Sequence, residues 1–473
     1  MDLIKKYFGK NAEAEDLYRS IFWQIAFLSL FGAIMLFSTT YTTSILGHSS
    51  PLSLFIKGMI WVLLGWVVFS IASRVIPSRI GSWTVPLLLL SILSLMVVLI
   101  PGLGRSVLGA RRWIPLGPFQ FQPSELVKLA LALFAAKVLS SKRRSFAFRE
   151  STLPVLIILG VIVILVMAEP DMGTTMVVAL IAFGSLTLAG VPKKQLFVIA
   201  LLGSLAGIYF AFGKSYRAQR LMSFLHPWSH RTGASYQEVQ SLAAFASGHI
   251  FGTGLGAGQA IWGYLPNASS DFIFAVVAQQ LGLIGSLVLI LQMVLLVITL
   301  VRIASRAAVS FDGIFVGSVA CWIGGQALLN IGAVEGILPV TGVPLPLISS
   351  GGSSTIVVMC ALGLVRATLR NSKVEFAVLN SDSKQANYRL ASSRLRAVGP
   401  FDHVFSGLVS SLRDRKAKSS RVPSSLGKGK RSNKLIGHLG DLRVKHYGNS
   451  GGRRARLQET SRSRERSTTG GSR

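Results

Sequence analysis

The chain has 473 residues, 51% of them apolar and only 14% charged, with 49 Lys and Arg against 19 Asp and Glu and just two cysteines. A typical soluble chain is about 25% charged, so a set of water-soluble domains is excluded, and Cys321 and Cys360, each inside an apolar run, exclude a disulfide scaffold. Residues 1–366 hold 25 basic and 12 acidic side chains while residues 367–473 hold 24 and 7, so two polymers of different character join near Arg366.

Segment 1–20 is mixed in charge, and the apolar run after it is long enough to span, so it is expected to be a retained helix with no cleavable signal peptide. About 20 apolar residues cross a bilayer core as a helix, because every backbone polar group must be satisfied internally there. Ten segments meet that length, near 21–38, 54–73, 83–100, 123–139, 152–168, 172–190, 195–212, 272–301, 312–332 and 345–365. The eighth is long enough to require tilt or an interfacial start.

Alternate threading with the N-terminus inside gathers Arg74 and Arg79, then Lys142, Arg143, Arg144 and Arg149, then Lys193 and Lys194, then Arg302 and Arg306, on one side with the basic tail. The excess of Lys and Arg makes that side the cytoplasm. Two outer loops carry cations against the rule: 101–122 has Arg105, Arg111 and Arg112, and 213–271 has Lys214, Arg217, Arg220 and Arg231. Either these cations touch outer headgroups, or they form an outward-facing anion site.

Loop 213–271 is too long to be idle and is expected to hold short helices of its own. Its stretch Tyr236 to Ile250 spaces Val239, Leu242, Ala243 and Ala246 as a helix lying on the membrane surface would. Gly252, Gly254, Gly256 and Gly258 follow without the strand or acidic residue of a dinucleotide fingerprint.

Ionisable groups inside a bilayer are costly and are functional candidates by default. Glu125 and Lys128, three residues apart at the start of the fourth span, share a helix face within ion-pair reach. Glu169 and Asp171 flank Pro170 in a three-residue connection, where capping of the next helix by Asp171 is favoured over catalysis. Asp271 precedes the run Phe272, Ile273, Phe274, where a carboxylate suits both a helix cap and a catalytic group. The small and helix-breaking residues from Gly342 to Ser354 fit either a packing kink or a substrate-lining segment.

Taken together, Gly109-Ala-Arg-Arg-Trp113, Gln122-Pro-Ser-Glu125 with Lys128, Glu169-Pro-Asp-Met-Gly173, Tyr216 to Trp228, Tyr264 to Phe274 and Leu338 to Ser354 resemble the SEDS family (shape, elongation, division and sporulation) of bacterial cell-wall polymerases. The resemblance covers about residues 15–366, and Met172-Gly-Thr-Thr175, Leu265-Pro-Asn-Ala268 and Ile348-Ser-Ser-Gly-Gly352 lean toward the division branch rather than the elongation branch. It implies a peptidoglycan glycosyltransferase that polymerises lipid II, with Asp271 in the catalytic position before Phe-Ile-Phe. Two departures accompany it: Ser269-Ser270 stands where the family usually has His-Thr or His-Ser, and Gln279-Gln280 where it usually has Glu-Glu.

The chemistry has a rationale of its own. A polyprenyl pyrophosphate leaves readily once its charge is neutralised, so one carboxylate and several cations suffice, unlike glycoside hydrolysis, which calls for a second carboxyl. Asp271 is the candidate general base for the acceptor 4-hydroxyl. Arg111, Arg112, Arg217, Arg220 and Lys128 are candidates for the pyrophosphate, with Glu125 beside Lys128 in the substrate-binding set. A divalent cation, Mg or Mn, is a candidate to share that task; no metal-ligating residues are assigned and no organic cofactor is expected.

The expected architecture is therefore all-α: a cytoplasmic segment 1–20, a polytopic membrane domain 21–366 of about ten transmembrane helices with an extracytoplasmic loop 213–271 between helices 7 and 8, and a basic, largely disordered cytoplasmic tail 367–473. Expected partners are lipid II and undecaprenyl-pyrophosphate-linked glycan, a class B penicillin-binding protein as transpeptidase, other divisome proteins, and anionic lipids through the tail, with no nucleic acid. The expected location is the bacterial inner membrane at the division septum with both termini cytoplasmic. Alternatives are a lipid II flippase, an elongation-type polymerase and a non-enzymatic scaffold.

Overall fold

The structure is a computed structural model that describes residues 14–370 apart from 48–49, 51, 76, 108–109, 118, 142–147, 214–221, 231–232, 234 and 308–309. The basic tail from 371 onward, and the loop cations Lys214, Arg217, Arg220 and Arg231, lie outside the described residues.

Seven helices precede the long loop: α1 (Ala14–Leu46), α2 (Ser53–Ala72), α3 (Pro77–Leu99), α4 (Pro123–Ser141), α5 (Thr152–Ala168), α6 (Met172–Leu188) and α7 (Lys193–Phe212). Within the loop lies α8 (Tyr236–Gly248), and after it come α9 (Ile273–Arg306), α10 (Phe311–Val334) and α11 (Gly352–Arg370). Apart from α8, ten long helices thus stand among the described residues, one on each expected span. Seven of the ten are long and apolar enough to cross a membrane, α5 and α6 are apolar but 17 residues long, and α4 carries Glu125, Lys128 and Lys137.

The helices sort by what surrounds them. On α4 the small residues Ala130, Ala132, Ala135 and Ala136 are all fully buried, and this is the device by which membrane helices approach closely where lipid supplies no hydrophobic drive. Helix α4 packs on α6 and α10, and α10 packs on α9. Elsewhere the outward faces stay apolar and exposed, as with Trp23, Leu30, Leu63, Ile71, Leu89, Ile164 and Phe197. In water such faces would be a liability; in hydrocarbon they are the solvated surface. At one end of the helices, Arg366 lies 4.0 Å from the ring centre of Tyr18 and Arg370 donates to the carbonyl of Arg74 at 2.9 Å. The last helix thus ends beside the first turns of α1 and the α2–α3 connection.

The expected all-α polytopic architecture is the one observed, and three features add detail to it. First, loop 101–122 forms a small three-stranded antiparallel sheet of β1 (Arg105–Val107), β2 (Ala110–Leu116) and β3 (Phe119–Phe121). Gly117, with φ of 63°, supplies the left-handed residue between β2 and β3. Second, of the α8 stripe Val239, Leu242, Ala243 and Ala246, Val239 is buried against protein while Ala243 and Ala246 are exposed. The helix buries Glu238, Val239, Ser241, Ala244 and Gly248 against protein, with Ser241 Oγ donating to Val334 O at 2.6 Å.

Third, the long α9 is interrupted. Gly282 adopts φ 68°, ψ −163°, and the bonds that an unbroken helix would form from residues 283 and 284 back to the carbonyls of 279 and 280 are replaced. Leu283 N and Ile284 N donate instead to His249 O (3.0 Å) and Ile250 O (3.3 Å), while Thr253 N and Gly254 N donate to Gln279 O (2.9 Å) and Gln280 O (3.1 Å). The loop after α8 thereby completes the broken helix, group for group. Gln279 reinforces the join: its Oε1 accepts from Ala260 N at 3.0 Å and its Nε2 donates to Ser247 Oγ at 2.8 Å. Gln280 Oε1 accepts from Ser38 Oγ of α1 at 2.7 Å.

The α8–α9 contact sets the first prediction. A Cβ on Gly248 would stand 2.0 Å from Ala278 O, whereas one on Gly203 of α7 would meet nothing within 4 Å. Gly248→Ala should therefore destabilise by about 1–3 kcal/mol through overpacking, and Gly203→Ala should be neutral or slightly stabilising. Thermal unfolding of the two variants in detergent checks this, and equal midpoints would contradict it.

Candidate functional site

The site is assembled from four chain segments that the fold brings together. The first is β2. Side chains alternate across a strand, so Arg111 and Arg112 point to opposite faces: Arg111 is exposed, and Arg112 turns inward with its side chain 23% exposed. Arg112 Nη2 donates to Pro170 O at 2.6 Å, Nε to Glu169 O at 3.4 Å, and Nη1 lies 3.6 Å from Asp171 Oδ2.

The second segment is the connection Glu169-Pro170-Asp171 between α5 and α6. Asp171 is the N-cap of α6, with Oδ1 accepting from Thr174 N at 3.0 Å and Oδ2 from Thr174 Oγ1 at 3.0 Å. One carboxylate thus caps a helix and holds the Arg112 guanidinium. Glu169, outside the helices but fully buried, has no hydrogen-bond partner for either carboxylate oxygen. Burial pushes its pKa up to about 9, the neighbouring Asp171 charge adds to the rise, and Arg112 opposes it.

The third segment, residues 267–271, carries Asp271. Helix α9 begins at Ile273 with Phe272 as its N-cap, one residue after Asp271, and Phe272 makes no side-chain cap bond. The loop is sewn instead to the fourth segment, 342–350. Ser349 Oγ donates to Ser270 O at 2.6 Å, Ser350 Oγ to Ser269 O at 2.7 Å, and Leu345 N to Ser349 Oγ at 2.8 Å. Between the segments sits Gly342, with φ of 70°. A Cβ built there would lie 3.7 Å from Asp271 Oδ2 and 4.0 Å from Arg112 Nη1, so the carboxylate and the guanidinium flank this glycine from different elements.

Beneath them runs a polar stripe on α10, with Trp322, Gln326 and Asn330 four residues apart on one face. Gln326 Oε1 accepts from Trp322 Nε1 (2.8 Å) and Lys128 Nζ (2.9 Å), which turns its Nε2 toward Pro344 O at 2.8 Å. Asn330 Nδ2 donates to Val343 O and to Asp271 O, both at 2.7 Å. Lys128 Nζ also lies 2.7 Å from Glu125 Oε2 and 5.3 Å from the Trp322 ring centre, and both ionic side chains are 1% exposed. A pair closed this tightly braces α4 against α10; an anion would reach Lys128 only by displacing Glu125 or Gln326.

Of the residues singled out from sequence, Asp271, Arg112, Asp171 and Glu169 converge. Arg111 faces away, Glu125 and Lys128 act one layer deeper, and Arg217 and Arg220 lie outside the described residues. Sequence reasoning missed Gln326 and Asn330. Their signal was two amides one helical turn apart in an otherwise apolar span, which hydrocarbon does not tolerate without partners. Among the described residues no group of three or more His, Cys, Asp or Glu is placed to hold a metal ion.

Glu169 generates the second prediction. The folded protein retains a proton that the unfolded chain releases above pH ~4.5, so the carboxyl makes stability fall as pH rises from about 4.5 to about 9, by at most about 1.4 kcal/mol per pH unit. Glu169→Gln, neutral throughout, should flatten that slope. Unfolding midpoints in detergent near pH 5 and near pH 8 should favour the variant over wild type only at the higher pH; parallel curves would mean Glu169 is ionised in the fold.

Comparison with known proteins identifies the family. The family model described as cell cycle protein, covering FtsW, RodA and SpoVE, matches residues 18–374. A Mycobacterium tuberculosis relative named "Probable peptidoglycan glycosyltransferase FtsW" is 35% identical over 362 residues, spanning 75% of this chain and 68% of its own. Among solved structures, a chain of a peptidoglycan synthase complex, described for its coordination of polymerization and crosslinking, superimposes with TM-score 0.61 at 28% identity, covering 74% of this chain and 97% of that one. The Thermus thermophilus rod shape determining protein RodA matches with TM-score 0.56 at 28% identity, covering 74% and 96%. With three quarters of its length matched and a polytopic helical fold shared with solved members, this chain belongs to the FtsW, RodA and SpoVE family of cell cycle proteins.

Proposed function

We propose that the chain is a peptidoglycan glycosyltransferase that polymerises lipid II at the outer face of the membrane. The observation that carries this reading is that the Asp271 carboxylate and the Arg112 guanidinium come within 3.7 and 4.0 Å of one position, that of a Cβ on Gly342, a general base and an anion ligand at one place. Asp271 takes the proton of the acceptor sugar's 4-hydroxyl as that oxygen attacks C1 of the donor sugar. The bond from C1 to the pyrophosphate breaks, and undecaprenyl pyrophosphate departs with the electron pair. Arg112 is suited to the charge that develops there, because guanidinium matches phosphate oxygens in bidentate fashion. Its anchorage to two carbonyls and Asp171 holds it in position before substrate arrives.

Arg217 and Arg220 remain proposed pyrophosphate ligands on the strength of their place in the outer loop. For Arg111 a place at the rim of the site fits its exposed side of β2, and for Glu125 and Lys128 a supporting role fits their burial. A divalent cation sharing the pyrophosphate would draw most of its ligands from phosphate oxygens, as such ions commonly do; every step above uses side chains alone. Transpeptidation is absent from the proposed chemistry, so a separate class B penicillin-binding protein is the proposed partner, with other divisome proteins at the septum and anionic lipids beneath the basic tail. Cytoplasmic termini are supported by the contact of Arg370 with Arg74 and by the cations Arg149, Lys193, Lys194, Arg302 and Arg306 at the corresponding helix ends.

Two measurements test this reading. Asp271→Asn keeps size and polarity but cannot accept the proton, so polymerisation of lipid II by purified protein should fall by at least about 10²-fold with normal insertion. Asp271→Glu should be impaired through displacement of the carboxylate. A stable Asn variant that makes glycan at near-normal rate would remove Asp271 from the chemistry. For orientation, a reporter active only outside the cytoplasm should work when fused after Ser235 and fail after Ser145 or Asn380. The opposite pattern would turn the site to the wrong compartment.

A further inference from the structure

We propose that Asn330 is the positioning residue for Asp271, its side-chain amide fixing where the carboxylate stands relative to Gly342 and Arg112. This rests on the reading of Asp271 as the base. Asn330 is 2% exposed, and its single Nδ2 group spends both hydrogens on carbonyls of two different segments: Asp271 O from the loop before α9, and Val343 O from the segment beside Gly342. Both bonds are 2.7 Å long. The amide is thus the direct link between the residue that carries the carboxylate and the backbone against which that carboxylate is set.

The orientation of Asn330 follows from its surroundings. Both neighbours within reach are acceptors, so only the nitrogen can face them, and a flipped amide would set three oxygens against one another. One turn earlier, Gln326 holds the next carbonyl, Pro344 O, and is itself oriented by Trp322 and Lys128. The segment 343–344 is therefore referenced to α10 at two successive residues, and Asn330 carries that reference across to Asp271. Two other ties of the Asp271 loop, through Ser349 and Ser350, reach Ser270 and Ser269. Those bonds hold the loop, whereas Asn330 holds the carbonyl of Asp271 itself. Displacement of the reacting group by about 1 Å commonly costs around 10²-fold in rate, so this link bears on turnover more than on substrate capture.

The test uses the full-length protein in detergent with its transpeptidase partner and purified lipid II. Asn330→Asp preserves shape and burial but replaces the donor with an acceptor facing two carbonyls; it should lower kcat by at least about 10-fold and leave KM within about threefold. Asn330→Ser retains one O–H donor, and its kcat should lie between that variant and wild type. Each variant is compared at a temperature where its circular dichroism and partner binding match wild type. The decisive measurement is made in the Asp271→Glu background, where the carboxylate is already displaced. There Asn330→Ser and Asn330→Asp should each cost less than half of their fold-change in the native background, since residues acting as one unit are not additive. Equal losses in both backgrounds, or losses carried by KM alone, overturn the proposal. If the Asn330 variants are misfolded under all conditions, Gln326→Leu supplies the contrast. That substitution frees Pro344 O but not Asp271 O, and a kcat loss from Gln326→Leu as large as that of Asp271→Glu overturns the direct link. The base assignment fails separately, through an active Asp271→Asn enzyme.

Discussion

A backbone group that leaves its helix inside hydrocarbon has no water to turn to, and the architecture around the site is shaped by that constraint. At Gly282 the main chain of α9 departs from helical geometry, and the loop 249–254 takes up the stranded amides and carbonyls on both sides of the break. At 342–350 the chain between α10 and α11 runs without helix, and its polar groups are met by Gln326, Asn330 and its own serines. Irregular backbone is what allows a membrane helix bundle to present a carboxylate, a guanidinium and a left-handed glycine to one point. The hydrogen bonds that compensate for it also fix where those groups stand.

The charges follow a similar economy. Two carboxyls one residue apart from a shared proline behave differently because their surroundings differ. Asp171 has a helix terminus, a threonine hydroxyl and an arginine, whereas Glu169 has low-dielectric surroundings and no donor, and it keeps its proton. With Glu169 protonated, its carboxyl sets no charge against Arg112, which leaves more of the guanidinium's positive field for an incoming anion. The deeper pair of Glu125 and Lys128 is closed on itself and on Gln326, so it lends rigidity to the α4–α10 contact while adding little net charge.

Much of this was legible from the sequence, for physical reasons that can be named. Spans were readable because hydrocarbon demands an unbroken apolar run of fixed length, and the Glu125, Lys128 spacing and the Asp171 cap follow from local helix geometry. The sheet at 105–121 was not, since strands of three residues with Pro115 inside the longest give no periodic signal. Helix α8 was recognised from its apolar spacing, but the face it turns to protein was not: the structure buries Ser241 because a carbonyl at Val334 awaits it. Neither could pairwise spacing reveal Asn330, whose two acceptors lie 59 and 13 positions away in the chain.

That separation in the chain has a temporal side. Asp271 enters the membrane with α9, but the groups that hold it arrive 59 to 81 residues later, with α10 and the stretch leading into α11. Chains emerge N-terminal end first, so a nascent protein carries the Asp271 carboxylate for the whole interval without the hydrogen bonds that tie down its loop. Only a chain that has reached Val343 lets Asn330 join Val343 O to Asp271 O. Synthesis order itself thus delays this junction until the stretch leading into the last helix has been made.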